Sequence, residues 1–141
     1  MDPDTIRESI RAFYEAQRER DPEKVAGCFA DDGVAHIPVG APALEEKEER
    51  IAFFEGILGF FTFLDIQEEA VFPAGSGAAV KWSAEGSGAG EESVTFEGID
   101  LFEFDAEGRI QILMGYWDPA GMITRLKGRA QTGIRSEGPP G

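Results

Sequence analysis

The chain has 141 residues, a formal net charge of −14 and a hydrophobic fraction of 42% that includes eleven phenylalanines. That length fits one domain, burying roughly 68–70% of its unfolded surface, while the acidity argues against nucleic acid and against anionic membrane surfaces, which attract basic patches. Its single cysteine, Cys28, forms neither an internal disulfide nor a metal site by itself, and no metal or cofactor is expected.

Asp2-Pro3 opens the first predicted helix, since Asp is a good N-cap and Pro suits the first helical position. Ile6, Ile10, Phe13 and Tyr14 recur at helical spacing, with Ala16 and Gln17 continuing that side. Tyr14 therefore belongs to the inward stripe or its edge, and a buried tyrosine needs a partner for its hydroxyl. Asp21-Pro22 repeats the opening device. A short helix is predicted from there to about Ala30, burying Val25, Cys28 as a thiol and Phe29, with Asp31-Asp32-Gly33 as its stop. Val34–Ile37 reads as a short strand ended by Pro38, with Ala35 and Ile37 on one face and Val34 and His36 on the other.

Glu45–Leu58 is a third predicted helix, whose front, EEKEER, is a solvated charge run and whose rear is apolar, through Ile51, Phe53, Phe54, Ile57 and Leu58. From Phe60 onward the pattern has period two. Strands are expected over Phe60–Phe72, Ala78–Gly86, Val94–Phe104 and Arg109–Asp118, with a turn at Pro73-Ala74-Gly75. One domain is expected over residues 1–126, followed by a tail, 127–141, disordered towards its end. The N-terminus is acidic and lacks an apolar segment of signal-peptide type, and no run approaches about 18 apolar residues, so a cytoplasmic protein is expected.

Val94–Phe104, VTFEGIDLFEF, organises the strands. Val94, Phe96, Gly98, Asp100, Phe102 and Phe104 share one face, so a carboxyl group sits in the middle of an apolar surface. Such a carboxylate must be paired or stay protonated. Its two readings are a structural network and a functional acid in a pocket. Both faces of the last strand are apolar: Ile110, Ile112, Met114 and Tyr116 on one, Leu113, Gly115 and Trp117 on the other. An outer apolar face suggests a homodimer, or a covering C-terminal segment. Helices first and antiparallel strands after give an α+β fold, a cone-shaped barrel of curved sheet around three N-terminal helices with an apolar interior suited to a small apolar or aromatic ligand.

The stretches FYEAQRERD, CFADDGVAHIPVG and EGIDLFEFDAEGRI resemble the nuclear-transport-factor-2-like superfamily over about residues 5–120, most closely its bacterial steroid Δ-isomerase (ketosteroid isomerase) and polyketide-cyclase-like members. The resemblance implies that Tyr14 and Asp100 occupy the positions of the family's two oxyanion-hole donors, a tyrosine and a protonated aspartic acid. That donor pair is a worked example of pKa tuning. It also implies that the family's proton-shuttling aspartate, just before the Pro-Val-Gly turn, is here Ile37, and that Phe54 replaces a supporting tyrosine. Trp117 matches an aromatic pocket wall. Trp82, Phe102 and Leu113 are further candidate ligand contacts, and His36 and Asp118 are candidate substitutes for the missing base.

Two functions follow. One is an enzyme moving a proton next to the carbonyl of a small apolar compound, as an isomerase, cyclase or dehydratase would. The other is a small-molecule-binding protein without chemistry, which the loss of the base favours. A purely protein-binding role would require a filled cone.

Overall fold

The computed structural model describes residues 1–90 and 92–132. Helix α1 (Pro3–Arg18) begins where Asp2 accepts a hydrogen bond from the Asp4 backbone N–H at 3.2 Å, and it buries Ile6, Ile10, Phe13, Tyr14 and Ala16. Helix α2 (Pro22–Ala26) is capped in the same way by Asp21, which accepts from the Lys24 N–H. Strand β1 (Phe29–His36), helix α3 (Lys47–Leu58), strands β2 (Phe63–Ala74), β3 (Gly77–Ser87), β4 (Ser93–Phe104) and β5 (Ile110–Tyr116), and helix α4 (Pro119–Thr132) complete the described chain. The strands form one unclosed sheet in the order β1-β5-β4-β3-β2. All its pairs are antiparallel except β1 with β5. The expected α+β cone is this fold, with β4 central and the helices against its inner face.

The core is continuous from α1 through the inward faces of the strands. Phe13 lies edge-on to Tyr14, Phe29, Phe54 and Phe102, with ring centroids 5.3–6.2 Å apart. Such pairs add about 0.5–1.5 kcal/mol each beyond area burial. Ala35 and Ile37 point inward and Val34 and His36 are half-buried, as strand alternation requires.

Five sequence expectations fail for identifiable reasons. The second helix stops at Ala26, and Phe29–Gly33 is strand. The register of β1 against β5 shifts between Phe29 and Val34, and Arg50 occupies the space so made. Its guanidinium donates to the carbonyls of Gly33, Glu45, Ala30 and Asp31 and lies 5.1 Å from the Phe29 ring centroid. Arg50, expected in a solvated charge run, is 1% exposed. Its fork of five donors can serve several carbonyls at once, which helical and strand periodicity does not reveal. Cys28, expected buried on a helix, is half-buried in the connection, its thiol 3.5 Å from the Lys24 carbonyl.

The fourth failure is in β5. Phe104 pairs with Ile110 but Glu103 with Ile112, so Gln111 is an extra residue on this strand. A bulge of one residue exchanges the faces on either side of it. Ile110 therefore turns inward with Leu113 and Gly115, while Ile112 and Tyr116 stay outside at 39% and 46% exposure. Pro73 and Ala74, expected in a turn, extend β2 instead. Met122 and Leu126 of α4 are buried in the core, and this helix leaves Ile112 and Tyr116 uncovered. The expected disordered end, from about Thr132, falls outside the described residues apart from Thr132 itself.

Removing the Arg50 fork should leave buried carbonyls without donors, at roughly 1–3 kcal/mol each. Arg50→Met is expected to lose at least about 2 kcal/mol of unfolding free energy in urea titration; a loss below about 0.5 kcal/mol would show that these carbonyls find other partners.

Candidate functional site

Between α1, α3 and the concave face of the sheet lies a small apolar cavity of about 40 Å³. Phe13 and Gln17 of α1, Phe53, Phe54 and Ile57 of α3, Trp82 of β3, Asp100 and Phe96 of β4, Leu113 of β5, and Ile37 and Trp117 line it, with Leu58, Phe61, Leu64 and Ile66. Trp82, Phe96 and Trp117 form one aromatic wall. Trp117 stacks on Phe96 at 5.6 Å and meets Trp82 edge-on at 5.5 Å.

Asp100 is the one carboxyl group in this lining. It is 7% exposed and pairs across the sheet with Val80 and Gly115. The Tyr14 hydroxyl donates to its Oδ2 at 2.5 Å, from a ring with no exposed surface. Burial pushes the Asp100 carboxyl from 3.8 up to about 6; the hydrogen bond from Tyr14 and, more weakly, the Trp82 indole oppose that rise. Burial likewise raises the Tyr14 hydroxyl well above its usual value, and the Asp100 and Glu68 charges add to this. Tyr14 is thus a neutral donor throughout the physiological range. Around Asp100 the facing positions on β3 and β5 and the nearby Ile37 carry no titratable group, so Tyr14 is the titratable neighbour in direct contact.

The Trp82 indole is turned towards Asp100 but falls outside hydrogen-bond geometry, so its buried N–H has no acceptor. An unpaired buried donor costs roughly 1–3 kcal/mol, and such groups are rare enough to need a reason. Its ring lies over Gly98, its cross-strand partner, where an added β-carbon would come within 2.6 Å of Trp82 Cζ2.

The expected site residues separate into three sets. Asp100, Ile37, Phe54, Trp82, Leu113 and Trp117 line the cavity, and Tyr14 stands behind Asp100. Phe102, expected as a ligand contact, instead backs the site: it packs on Phe13 and Tyr14 and stacks on Phe104. His36 and Asp118, the candidate bases, are absent from the lining. His36 alternates with the inward Ala35 and Ile37, and the exposed Asp118 caps α4, accepting from the Gly121 N–H at 2.9 Å. Gln17, Phe13, Phe53 and Phe96 line the cavity without having been singled out; their signal was already present in the inward stripes of α1, α3 and β4. Among the described residues no group of three His, Cys, Asp or Glu side chains is placed to share a metal ion.

An acid whose pKa is raised by folding holds more protons in the native state than in the unfolded one. Its contribution is complete below about pH 4 and is lost as pH rises through about 6. A rise from 3.8 to about 6 corresponds to about 3 kcal/mol. Urea titrations between pH 4 and 7 should therefore show Asp100→Asn gaining about 2 kcal/mol relative to the native protein across that window; a constant difference would mean that Asp100 titrates as an ordinary carboxylate.

A SnoaL-like domain model matches residues 10–112. The chain is 24% identical over 118 residues to a steroid Δ-isomerase of Nocardioides simplex, covering 84% of this chain and 94% of that protein. An epoxide hydrolase/cyclase-like enzyme with a role in pyran ring formation in the polyether salinomycin has a similar structure, with TM-score 0.73 and 20% identity over 83% of this chain and 93% of that one. The Δ5-3-ketosteroid isomerase of a Mycobacterium species gives TM-score 0.70 and 23% identity over 81% and 93%. The shared feature is the cone, which hosts different reactions. The family model spans α1 to β5, and the chain belongs to the SnoaL-like domain family of the nuclear-transport-factor-2-like fold.

Proposed function

We propose that the protein takes a small apolar carbonyl compound into the cone, with its oxygen at Asp100, and favours proton transfer next to that carbonyl, as a steroid Δ-isomerase-like or cyclase-like protein. The observation that carries this reading is the Tyr14–Asp100 hydrogen bond at the wall of an otherwise apolar cavity. A carboxyl group kept protonated up to about pH 6 can donate to a carbonyl oxygen, and Tyr14 holds it in place as the second member of the donor pair. Donors aimed at a developing enolate oxygen are worth about 10²–10³ in rate. Because the donating form is the protonated one, the dissociation constant of a neutral 4-ene-3-ketosteroid should rise as pH passes about 6, approaching roughly tenfold per pH unit. Calorimetric titration between pH 5 and 8 checks this, and a flat profile rules out Asp100 as the donor.

Proton transfer also needs a base. Ile37 holds the family's base position, beside Gly115 and near Asp100. Little activity is therefore expected on a 5-ene-3-ketosteroid, and Ile37→Asp should raise kcat/KM at least about tenfold, since a positioned base supplies about 10²–10⁴. A folded variant that gains less would show that the cavity does not hold a steroid in register. The second reading, binding without chemistry, is favoured by the same observation: no second titratable side chain joins Asp100 in the lining. A cytoplasmic homodimer formed through Ile112, Met114 and Tyr116 accompanies either reading. Sedimentation at micromolar concentration should give the dimer mass, and a monomer would exclude that interface.

A further inference from the structure

The Tyr14 hydroxyl has one proton, and it is directed at Asp100 Oδ2. Tyr14 itself has no exposed surface and is not in the cavity lining. A ligand oxygen entering the cavity therefore meets Asp100 before it can meet Tyr14. The other polar hydrogen beside it belongs to Trp82, whose indole N–H is buried, turned towards Asp100 and without an acceptor. Trp82 lies on the inward face of β3, 3% exposed, and lines the cavity. It pairs with Gly98, two residues before Asp100 on β4, which brings the two side chains together on one surface. A glycine is needed there because a β-carbon would sit 2.6 Å from the indole and 2.7 Å from the Tyr116 carbonyl oxygen. The backbone is thus shaped to hold the ring down against the strand beside the carboxyl group.

We infer that the indole N–H of Trp82 is a ligand-binding donor, and that the oxygen of the bound compound is held between Trp82 and Asp100 while Tyr14 acts on it only through Asp100. This deepens the proposed function and rests on it. The site then selects compounds with one oxygen at the end of a flat apolar body. A phenol suits it in either protonation state: Asp100 and the phenol share one proton between them, and the oxygen accepts from Trp82 in both arrangements. An apolar ring without that oxygen leaves the indole N–H unpaired, as in the empty cavity.

The probes are 2-naphthol and naphthalene, titrated by calorimetry into the native protein, Trp82→Phe and Asp100→Asn. The native protein should prefer the naphthol. Trp82→Phe keeps an aromatic ring against Phe96 and Trp117 and should lose about tenfold in naphthol affinity, with naphthalene affinity changed less than twofold. The native protein labelled with ¹⁵N gives a test that does not depend on a stable Trp82 variant. It has two tryptophans, and the indole resonance absent from Trp82→Phe, or insensitive to Trp117→Phe, belongs to Trp82. That proton should move downfield with naphthol and not with naphthalene. Trp82→Phe binding naphthol as tightly as the native protein, or an indole proton that responds equally to both probes, overturns the inference. Loss of the naphthol preference in Asp100→Asn with none in Trp82→Phe leaves the proposed function standing and removes Trp82 from it. Failure of the native protein to bind either probe overturns both.

Discussion

The burial of one carboxyl group on the central strand is the constraint around which the rest of the fold is arranged. Asp100 stands on the inner face of β4, flanked by Val80 and Gly115 and capped by the Tyr14 hydroxyl. Leaving a charge there would be costly, and the outcome is a carboxyl group with its pKa moved to about 6 rather than an ion pair. Tyr14 can reach it only because α1 lies across the sheet with Phe13 wedged among Phe29, Phe54 and Phe102. Packing and polarity are therefore coupled. The aromatic cluster fixes the helix, the helix fixes the hydroxyl, and the hydroxyl satisfies the acid.

Three irregularities interrupt the ladders, one between β2 and β3 at Glu68–Ala70 and two at the β1–β5 side of the sheet. The bulge at Gln111 turns Ile110 inward, and the register shift in β1 frees carbonyls that Arg50 gathers. Bulges bend and twist a sheet locally, and here they bring Ile37 beside Gly115, close to Asp100. At the other side β3 and β4 pair without interruption from Gly77–Glu103 to Ser87–Ser93. That regular stretch carries Trp82, Phe96 and Asp100 of the cavity lining.

The chemistry of the cavity is sparse. Its lining has one carboxyl group, one carboxamide, at Gln17, and two indoles, of Trp82 and Trp117, among aliphatic and aromatic side chains. Such a surface binds by shape and apolar area and orients by a few polar contacts. Ile37 adds no titratable group to this lining, so on the proposed reading orientation of an oxygen is better provided for than movement of a proton.

Much of this was legible in the residues. Period two over Val94–Phe104 placed Asp100 on an apolar face, helical spacing placed Tyr14 inward, and alternation separated Ile37 from His36; each is a local rule that follows from backbone geometry. The α+β class followed from the order of the patterns. What the sequence could not determine was anything set by contacts between distant segments. Arg50 looked like part of a solvated run because its carbonyl partners lie on β1. Simple alternation puts Ile110 on the outer face, and a single bulged residue inverts that without altering composition. Asp118 looked like a candidate base until the start of α4 claimed its carboxylate. The unpaired indole of Trp82 was likewise a matter for tertiary structure, because which acceptors a buried donor meets is set by the segments that pack around it.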